Sequence, residues 1–315
     1  MAQFDILEGD VRKLLPMLPD DHFQCCVTSP PYWSLRDYKH DDQIGQEERF
    51  EDYVDSLVAI FEDVRRVMKP DGTLWLNMGD CYFGGGRAGH TIEGPNFHGH
   101  GGKNRGQGGR CRPINGIKPK DLVGQPWTLA FALRAAGWYL RQEIIWFKPA
   151  CMPESVKDRP TRAHEQIFLF AKSKAYYYDH EAIKEPGEGT KYDLKRRPLN
   201  RMKNARWLLE GPEKADLGPT IGNGRETRNK RSVWKVAYNG FPEAHFATFP
   251  EDLIKPCVLA GSRVGDLVLD PFSGSGTTGK VAVGLGRRYV GIELNPSYCE
   301  MSRRRVSGPL FAGVE

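Results

Sequence analysis

Between residues 50 and 68 the apolar side chains fall at Phe50, Tyr53, Val54, Leu57, Ile60, Phe61, Val64 and Met68, in steps of three and four. That spacing lines one face of a helix, so an amphipathic helix is predicted there, ended by Lys69-Pro70-Asp71-Gly72. Shorter apolar runs at Phe4–Leu7, Phe23–Val27, Thr73–Met78, Leu140–Trp146, Phe168–Phe170, Leu267–Asp270 and Tyr289–Glu293 read as strands. Helical spacing recurs at Val11–Leu18, at Lys120–Ala136 and after Pro250. Strands alternating with helices predict an α/β fold: a mostly parallel sheet covered by helices on both faces.

Two stretches break the alternation. Residues 84–112 hold eleven glycines, few apolar side chains and several basic ones. Such a segment cannot bury enough apolar surface to order itself and is expected to be a mobile loop in the free protein. It reads either as a plain insertion or as a basic loop that orders on nucleic acid. Residues 181–235 are polar, with Trp207 and Trp234 among many Lys and Arg, and their local positive charge at least equals the +5 of the whole chain. They read as an inserted binding region between a first part, 1–180, and a last part, 236–315.

With 39% hydrophobic and 27% charged residues, the 315-residue chain has the make-up of a globular protein. No apolar run approaches the roughly 18–20 residues of a membrane span. The start, MAQFDILEGD, lacks the basic and apolar regions of a secretion signal, so a cytoplasmic protein with no membrane contact is expected. Seven scattered cysteines without a CxxC pair argue against a disulfide framework or a zinc site, and no metal site is expected. The net charge is a mild pointer to an anionic partner.

Two constellations carry chemistry. The first is Asp270-Pro-Phe272-Ser273-Gly274-Ser275-Gly276-Thr277-Thr278, which follows an apolar strand and opens a helix. Its glycines let backbone approach a ligand closely, and the helix start offers N–H groups to a carboxylate or phosphate. Glu293, about twenty residues on at the end of the next strand, can accept both hydroxyls of a ribose. This much fits NAD, FAD or S-adenosylmethionine. A phosphate loop would need the GK[ST] ending, which is missing. The second constellation is Thr28-Ser29-Pro30-Pro31-Tyr32-Trp33 at a strand end. Two prolines remove backbone donors and stiffen the chain, leaving the Ser29 hydroxyl and nearby carbonyls as acceptors beside an aromatic face. That arrangement suits an –NH2 group on a flat ring.

Ser29-Pro-Pro-Tyr32 resembles the catalytic tetrapeptide of the amino-methylating DNA methyltransferases, and Asp270-Pro-Phe-Ser-Gly-Ser-Gly276 resembles their cofactor loop. The catalytic motif comes first and the cofactor loop near the C-terminus, similar to the permuted, β-type order. Gly9-Asp10 resembles the acidic contact to the cofactor adenine. His245-Phe-Ala-Thr248-Phe249-Pro250 resembles the segment that helps close the methionine end. The resemblance spans most of the chain outside 84–112 and 181–235. It implies a Rossmann-like domain with a mostly parallel seven-stranded sheet and S-adenosyl-L-methionine as cofactor. The 273–278 turn would take the methionine end, Glu293 the ribose, and Asp10 and Phe272 the adenine. Double-stranded DNA is the implied partner, with a homodimer and a restriction endonuclease acting on the same site as associated expectations.

The implied mechanism needs the target nucleotide flipped out of the duplex. Tyr32, with Trp33 beside it, would replace the lost stacking. Acceptors at Ser29 and the Pro30 carbonyl would hold the amine N–H bonds and favour a pyramidal nitrogen, whose lone pair then attacks the sulfonium methyl. A Ser-led tetrapeptide is associated in this family mostly with cytosine N4 and an Asp-led one with adenine N6, so N4 is expected and N6 is the alternative. Cytosine C5 chemistry would need a Pro-Cys loop, and Pro256-Cys257 lies on a predicted helix. A catalytically inactive DNA-binding relative is a more distant alternative. Lys195, Arg196, Arg197, Arg225, Arg228, Lys230 and Arg231 are assigned to DNA phosphate contacts, against the plainer reading of a solvated basic face. His164-Glu165, with Arg159 and Arg162 near in sequence, reads as acid–base groups or as structural ion pairs.

Overall fold

The chain opens with strand β1 (Phe4–Glu8) and one helical turn, α1 (Val11–Leu14), which Asp10 caps by accepting the Arg12 N–H at 2.9 Å. Helical spacing continues to Leu18, but Pro16 has no N–H to extend an α-helix, and Leu15–Met17 tightens into a 3-10 turn. This is a computed structural model that describes residues 3–33, 42–83, 116–151, 153–187, 227–237 and 249–308. The glycine-rich 84–112 segment and Trp207 lie outside the described residues.

Strand β2 (Phe23–Thr28) is buried along its length, and the predicted long helix is α2 (Phe50–Val67). Its buried residues are Phe50, Tyr53, Val54, Leu57, Ile60, Phe61 and Val64, as the spacing predicted, and Val67, while the predicted Met68 lies past the helix end. Lys69-Pro70-Asp71-Gly72 does not form a separate turn. Strand β3 runs from Met68 to Met78 and absorbs these residues as an irregularity, the pairing jumping from Phe23–Met68 to Cys25–Thr73. Helix α3 (Gln125–Ala135) begins later than the spacing suggested, because Lys120 and Gly124 take positive φ of 76° and 78°.

Strands β4 (Tyr139–Phe147) and β5 (His164–Ala171) follow, then the two-residue strands β6 (Glu185–Pro186) and β7 (Thr227–Arg228). A short strand, β8 (Val233–Lys235), precedes helix α4 (Glu251–Gly261) and strand β9 (Leu267–Asp270). Helix α5 (Thr277–Gly284), strand β10 (Arg288–Glu293) and helix α6 (Pro296–Ser307) complete the described chain. The order of the main sheet is β1-β10-β9-β2-β3-β5-β4-β8. The first five strands are mutually parallel, β5 runs against both neighbours, and β8 lies parallel to β4. The sheet is mostly parallel as expected, with eight strands instead of seven. The extra strand is three residues long, too short for its alternation to register in the sequence. It is anchored by the buried Trp234 and by Trp146, whose indole N–H donates to the Val236 carbonyl at 2.9 Å.

Alternate strand residues face opposite layers. Cys26, Leu74, Leu76 and Leu269 join the apolar faces of α2 and α3 in one core cluster. Their neighbours Cys25, Thr73 and Trp75 face α4, where Gly261 comes so close that an added Cβ would lie 2.7–2.8 Å from their side chains. Among the described residues no helix is long and apolar enough to cross a membrane.

Residues 180–230 form a second compact unit. Its described part includes the antiparallel ribbon of β6 with β7, pinned by Arg228 on Glu185 at 2.8 Å.

Candidate active site

The topology brings distant sequence segments to one edge of the sheet. Parallel strands β1, β10, β9, β2 and β3 end there with Asp10, Glu293, Asp270, Ser29 and Gly79. The reversed strand β5 begins at the same edge with His164 and Glu165, because Phe147 at the end of β4 pairs with His164. Clefts above the carboxyl ends of parallel strands are where open α/β sheets bind ligands.

The turn after β9 is built from buried hydrogen bonds. Asp270 accepts from the Thr28 hydroxyl at 2.6 Å, the Thr278 hydroxyl at 2.7 Å and the Phe272 N–H at 3.1 Å. Burial pushes its carboxyl up to about 6, against the lowering effect of those three donors. Ser273 shares a hydrogen bond with the Tyr289 hydroxyl at 2.9 Å. Arg305 donates to the Ser275 carbonyl at 2.8 Å and the Thr277 hydroxyl at 3.2 Å. The side chains of Asp270, Ser273, Ser275, Thr277 and Thr278 are therefore buried beneath the turn and shape it. Gly276 has φ 78°, and a Cβ there would lie 2.2 Å from Ser302 Oγ.

Gly274 differs. Its φ is 52°, and an added Cβ would meet nothing closer than the Phe272 carbonyl at 4.0 Å, so open space adjoins the backbone at this point. Glu293 stands beside it, one oxygen accepting the Gly274 N–H and the other the Asn295 N–H, each at 2.8 Å. Burial raises the Glu293 carboxyl, partly offset by those two backbone donors. A carboxylate offers about four lone-pair directions, so Glu293 keeps acceptor capacity for a diol. Phe272 is partly exposed, its ring centroid 6.5 Å from that of Phe61. Open backbone at a glycine, an oriented carboxylate and an exposed aromatic edge fit the methionine, ribose and adenine parts of S-adenosylmethionine.

Asp10 lies beside Glu293, since the Gly9 N–H donates to the Glu293 carbonyl at 2.9 Å. Both its oxygens are engaged by Arg12, at 2.8–3.1 Å, and it caps α1. Burial would raise its carboxyl, but the hydrogen bonds and charge of Arg12 outweigh burial and hold it below the usual range. Phe249 lies just ahead of α4, and Thr248 lies outside the described residues.

At the end of β2, Pro30 is buried and Ser29, Pro31 and Tyr32 are partly exposed. The loop is held by the Tyr53 hydroxyl on the Pro31 carbonyl at 2.8 Å and by the Trp33 N–H on Gln125 Oε1 at 3.1 Å. Ser29 Oγ donates to the Tyr32 hydroxyl at 3.3 Å, and Tyr32 donates to Glu165 Oε2 at 3.1 Å. Glu165 Oε1 also receives Lys148. Burial, then the Glu165 charge, pushes the Tyr32 phenol well above its usual range. Gly79 admits the ring: a Cβ there would lie 2.9 Å from Tyr32 Cε2. Trp33 points away from this cluster. Its ring is buried against Phe50, and its indole N–H donates to the Glu47 carbonyl at 2.8 Å, leaving Tyr32 as the accessible aromatic face.

Thr28, Gly79, Lys148, Glu165 and Arg305 were not singled out as binding or catalytic residues in the sequence, or were left open between roles. Thr28 has a local signal in its place next to Ser29, and Glu165 one in its place next to His164; Gly79, Lys148 and Arg305 have none. Of the basic residues assigned to DNA, Arg228 pairs with Glu185 and the Arg231 carbonyl accepts the Trp234 indole N–H. Lys230 lies just beyond β7, and Lys195, Arg196, Arg197 and Arg225 lie outside the described residues.

Comparison with known proteins gives the family. Residues 23–304 match the family of N6 and N4 methyltransferases described as DNA methylase. The Type II methyltransferase M.SmaI of Serratia marcescens is 47% identical over 303 residues, covering 96% of this chain and 90% of the relative. M.Cfr9I of Citrobacter freundii, also a Type II methyltransferase, is 45% identical over 96% of this chain and 87% of the relative. Among solved structures, the cytosine-N4-specific PvuII DNA methyltransferase superposes with a TM-score of 0.63 at 19% identity, covering 100% of this chain and 89% of that one. A putative DNA modification methylase of Thermus thermophilus, solved with S-adenosyl-L-methionine, superposes with a TM-score of 0.58 at 23% identity, covering 96% and 93%. At these identities the two structures speak for the fold. The chain belongs to the family of DNA methylases that methylate exocyclic base amines at N4 or N6.

Proposed function

We propose that this protein methylates the N4 amine of a specific cytosine in double-stranded DNA, as the modification half of a Type II restriction–modification pair. S-adenosyl-L-methionine supplies the methyl group as an electrophilic sulfonium. The observation that carries the reading is the Thr28–Asp270 hydrogen bond, which ties the Ser29-Pro-Pro-Tyr32 loop to the turn beside Gly274 and Glu293. Acceptor loop and cofactor turn are thereby held as one rim, as a direct transfer between two bound groups requires.

On this reading the target cytosine leaves the duplex and lies against the Tyr32 ring. Ser29 Oγ and the Pro30 carbonyl accept its two amine N–H bonds. Both acceptors are neutral, so they orient the amine and draw its lone pair out of conjugation without creating a formal anion. Glu293 would hold the ribose hydroxyls, Phe272 would serve the adenine, and the backbone at 273–278 would take the methionine end. Cytosine is preferred to adenine because Ser29 leads the tetrapeptide. A cognate endonuclease is part of the proposal because the 45–47% identical relatives are named Type II methyltransferases. The basic residues of 195–231 supply phosphate contacts, which position DNA without reading its sequence.

The test is to incubate the protein with labelled S-adenosyl-L-methionine and unmethylated mixed-sequence DNA, digest to nucleosides and identify the labelled one by mass spectrometry. Label in N4-methylcytosine is expected. Label in N6-methyladenine would overturn the base assignment and leave the family standing.

A further inference from the structure

We propose that Glu165, held by Lys148, is a positioning residue that sets the direction of a hydrogen-bond chain through Tyr32 and so presents Ser29 to the target amine as an acceptor. This rests on the reading of Ser29 as an amine acceptor and deepens it. The chain runs from Ser29 Oγ to the Tyr32 hydroxyl over 3.3 Å and from Tyr32 to Glu165 Oε2 over 3.1 Å, with Lys148 on the other carboxylate oxygen.

A hydroxyl has one proton to donate and two lone pairs to accept with. An ionised carboxylate only accepts, so the single Tyr32 proton is committed to Glu165. The Tyr32 oxygen can then only accept from Ser29, and the Ser29 proton points at it. Both Ser29 lone pairs are left to face the cleft, where an amine donates. Without the carboxylate, Tyr32 can turn its proton to Ser29, and the Ser29 proton can then turn to the cleft, where it opposes an incoming N–H.

Lys148 keeps Glu165 in this role in two ways. Its ammonium occupies Glu165 Oε1 and leaves Oε2 to accept from Tyr32. It is also fixed in place, lying 4.1 Å from the Trp146 ring centroid. Gly79 completes the arrangement, since any Cβ there would press on Tyr32 Cε2 at 2.9 Å and on Glu165 Cδ at 3.2 Å. The reversed direction of β5 is what brings Glu165 to an edge otherwise made of strand ends.

The test is a double-mutant cycle of Tyr32→Phe and Glu165→Gln on the full-length protein, read as single-turnover methylation of DNA at saturating S-adenosyl-L-methionine. Each single variant is expected to slow the methyl-transfer step by about tenfold or more. The KM for DNA and the cofactor affinity should stay near wild type. Because Glu165 acts through the Tyr32 hydroxyl, the double variant should be no slower than the slower single one. Losses that multiply, or a change in KM in place of the rate, would overturn the chain. If Glu165→Gln does not fold, Tyr32→Phe decides alone, and a wild-type rate overturns the proposal. Ser29→Ala separates the chain from the reading beneath it. A loss with Ser29→Ala beside a full rate for Tyr32→Phe overturns only the chain, and a full rate with Ser29→Ala removes the acceptor assignment as well.

Discussion

The two halves of the rim are built on opposite principles. On the β9–β10 side every polar side chain of the turn is buried and bonded inward: Asp270 to two threonines, Ser273 to Tyr289, Ser275 and Thr277 to Arg305. What faces the cleft there is backbone at Gly274, the doubly anchored Glu293 and the partly exposed Phe272 ring. On the β2 side the order is inverted. The backbone is stiffened by two prolines and a few outside contacts, and the partly exposed side chains Ser29 and Tyr32 carry the polar atoms. A cofactor that is the same in every turnover is suited by a rigid backbone cradle. An amine that must be gripped, activated and released is suited by hydroxyls whose proton direction is set from behind.

If that contrast holds, damage should separate cleanly between stability and catalysis. Asp270→Ala should cost the most stability, about 3 kcal/mol, because two buried threonine hydroxyls and the Phe272 N–H lose one acceptor together. Urea unfolding measures it, and cofactor affinity should fall with it. A variant as stable as wild type would mean the turn is not held by this network.

Tyr32→Ala should do the reverse. Turnover on DNA should fall roughly a hundredfold, because stacking and the Ser29 partner are lost together. Cofactor affinity, followed by calorimetry, should stay within about threefold of wild type, since Tyr32 sits outside the turn. An equal fall in cofactor affinity would erase the distinction between the halves.

The smallest effect is one of pH. The Asp270 carboxyl is raised from 3.8 to about 6, so the folded state binds a proton more tightly than the unfolded chain. This group's contribution to stability is then fully present below 3.8 and is lost as pH rises through about 6. Between pH 7 and pH 5 the wild type should gain about 1 kcal/mol relative to Asp270→Asn, measured by urea unfolding at both values. No difference between the two proteins would place the Asp270 carboxyl near its ordinary range.

Most of the fold was legible. The α2 stripe at Phe50, Tyr53, Val54, Leu57, Ile60, Phe61 and Val64 is written in steps of three and four, and burial follows it. Misjudged boundaries lay where local chemistry overrides spacing: Pro16 cutting α1 short, positive φ at Lys120 and Gly124 delaying α3, and the irregular β3 absorbing 69–72.

By itself, the sequence determined the alternating α/β pattern, the two motifs and their order, because strand and helix periods and glycine or proline turns are local properties. Only the tertiary structure decided which side chains of those motifs face the cleft. It turned the Asp270 carboxyl and the Ser273, Ser275, Thr277 and Thr278 hydroxyls inward, Asp10 onto Arg12 and Trp33 into the core. It also brought Glu165, 133 positions along the chain, within a hydrogen bond of Tyr32. Orientation and long-range contact depend on sheet order, and sheet order follows from how strands far apart in sequence share one core.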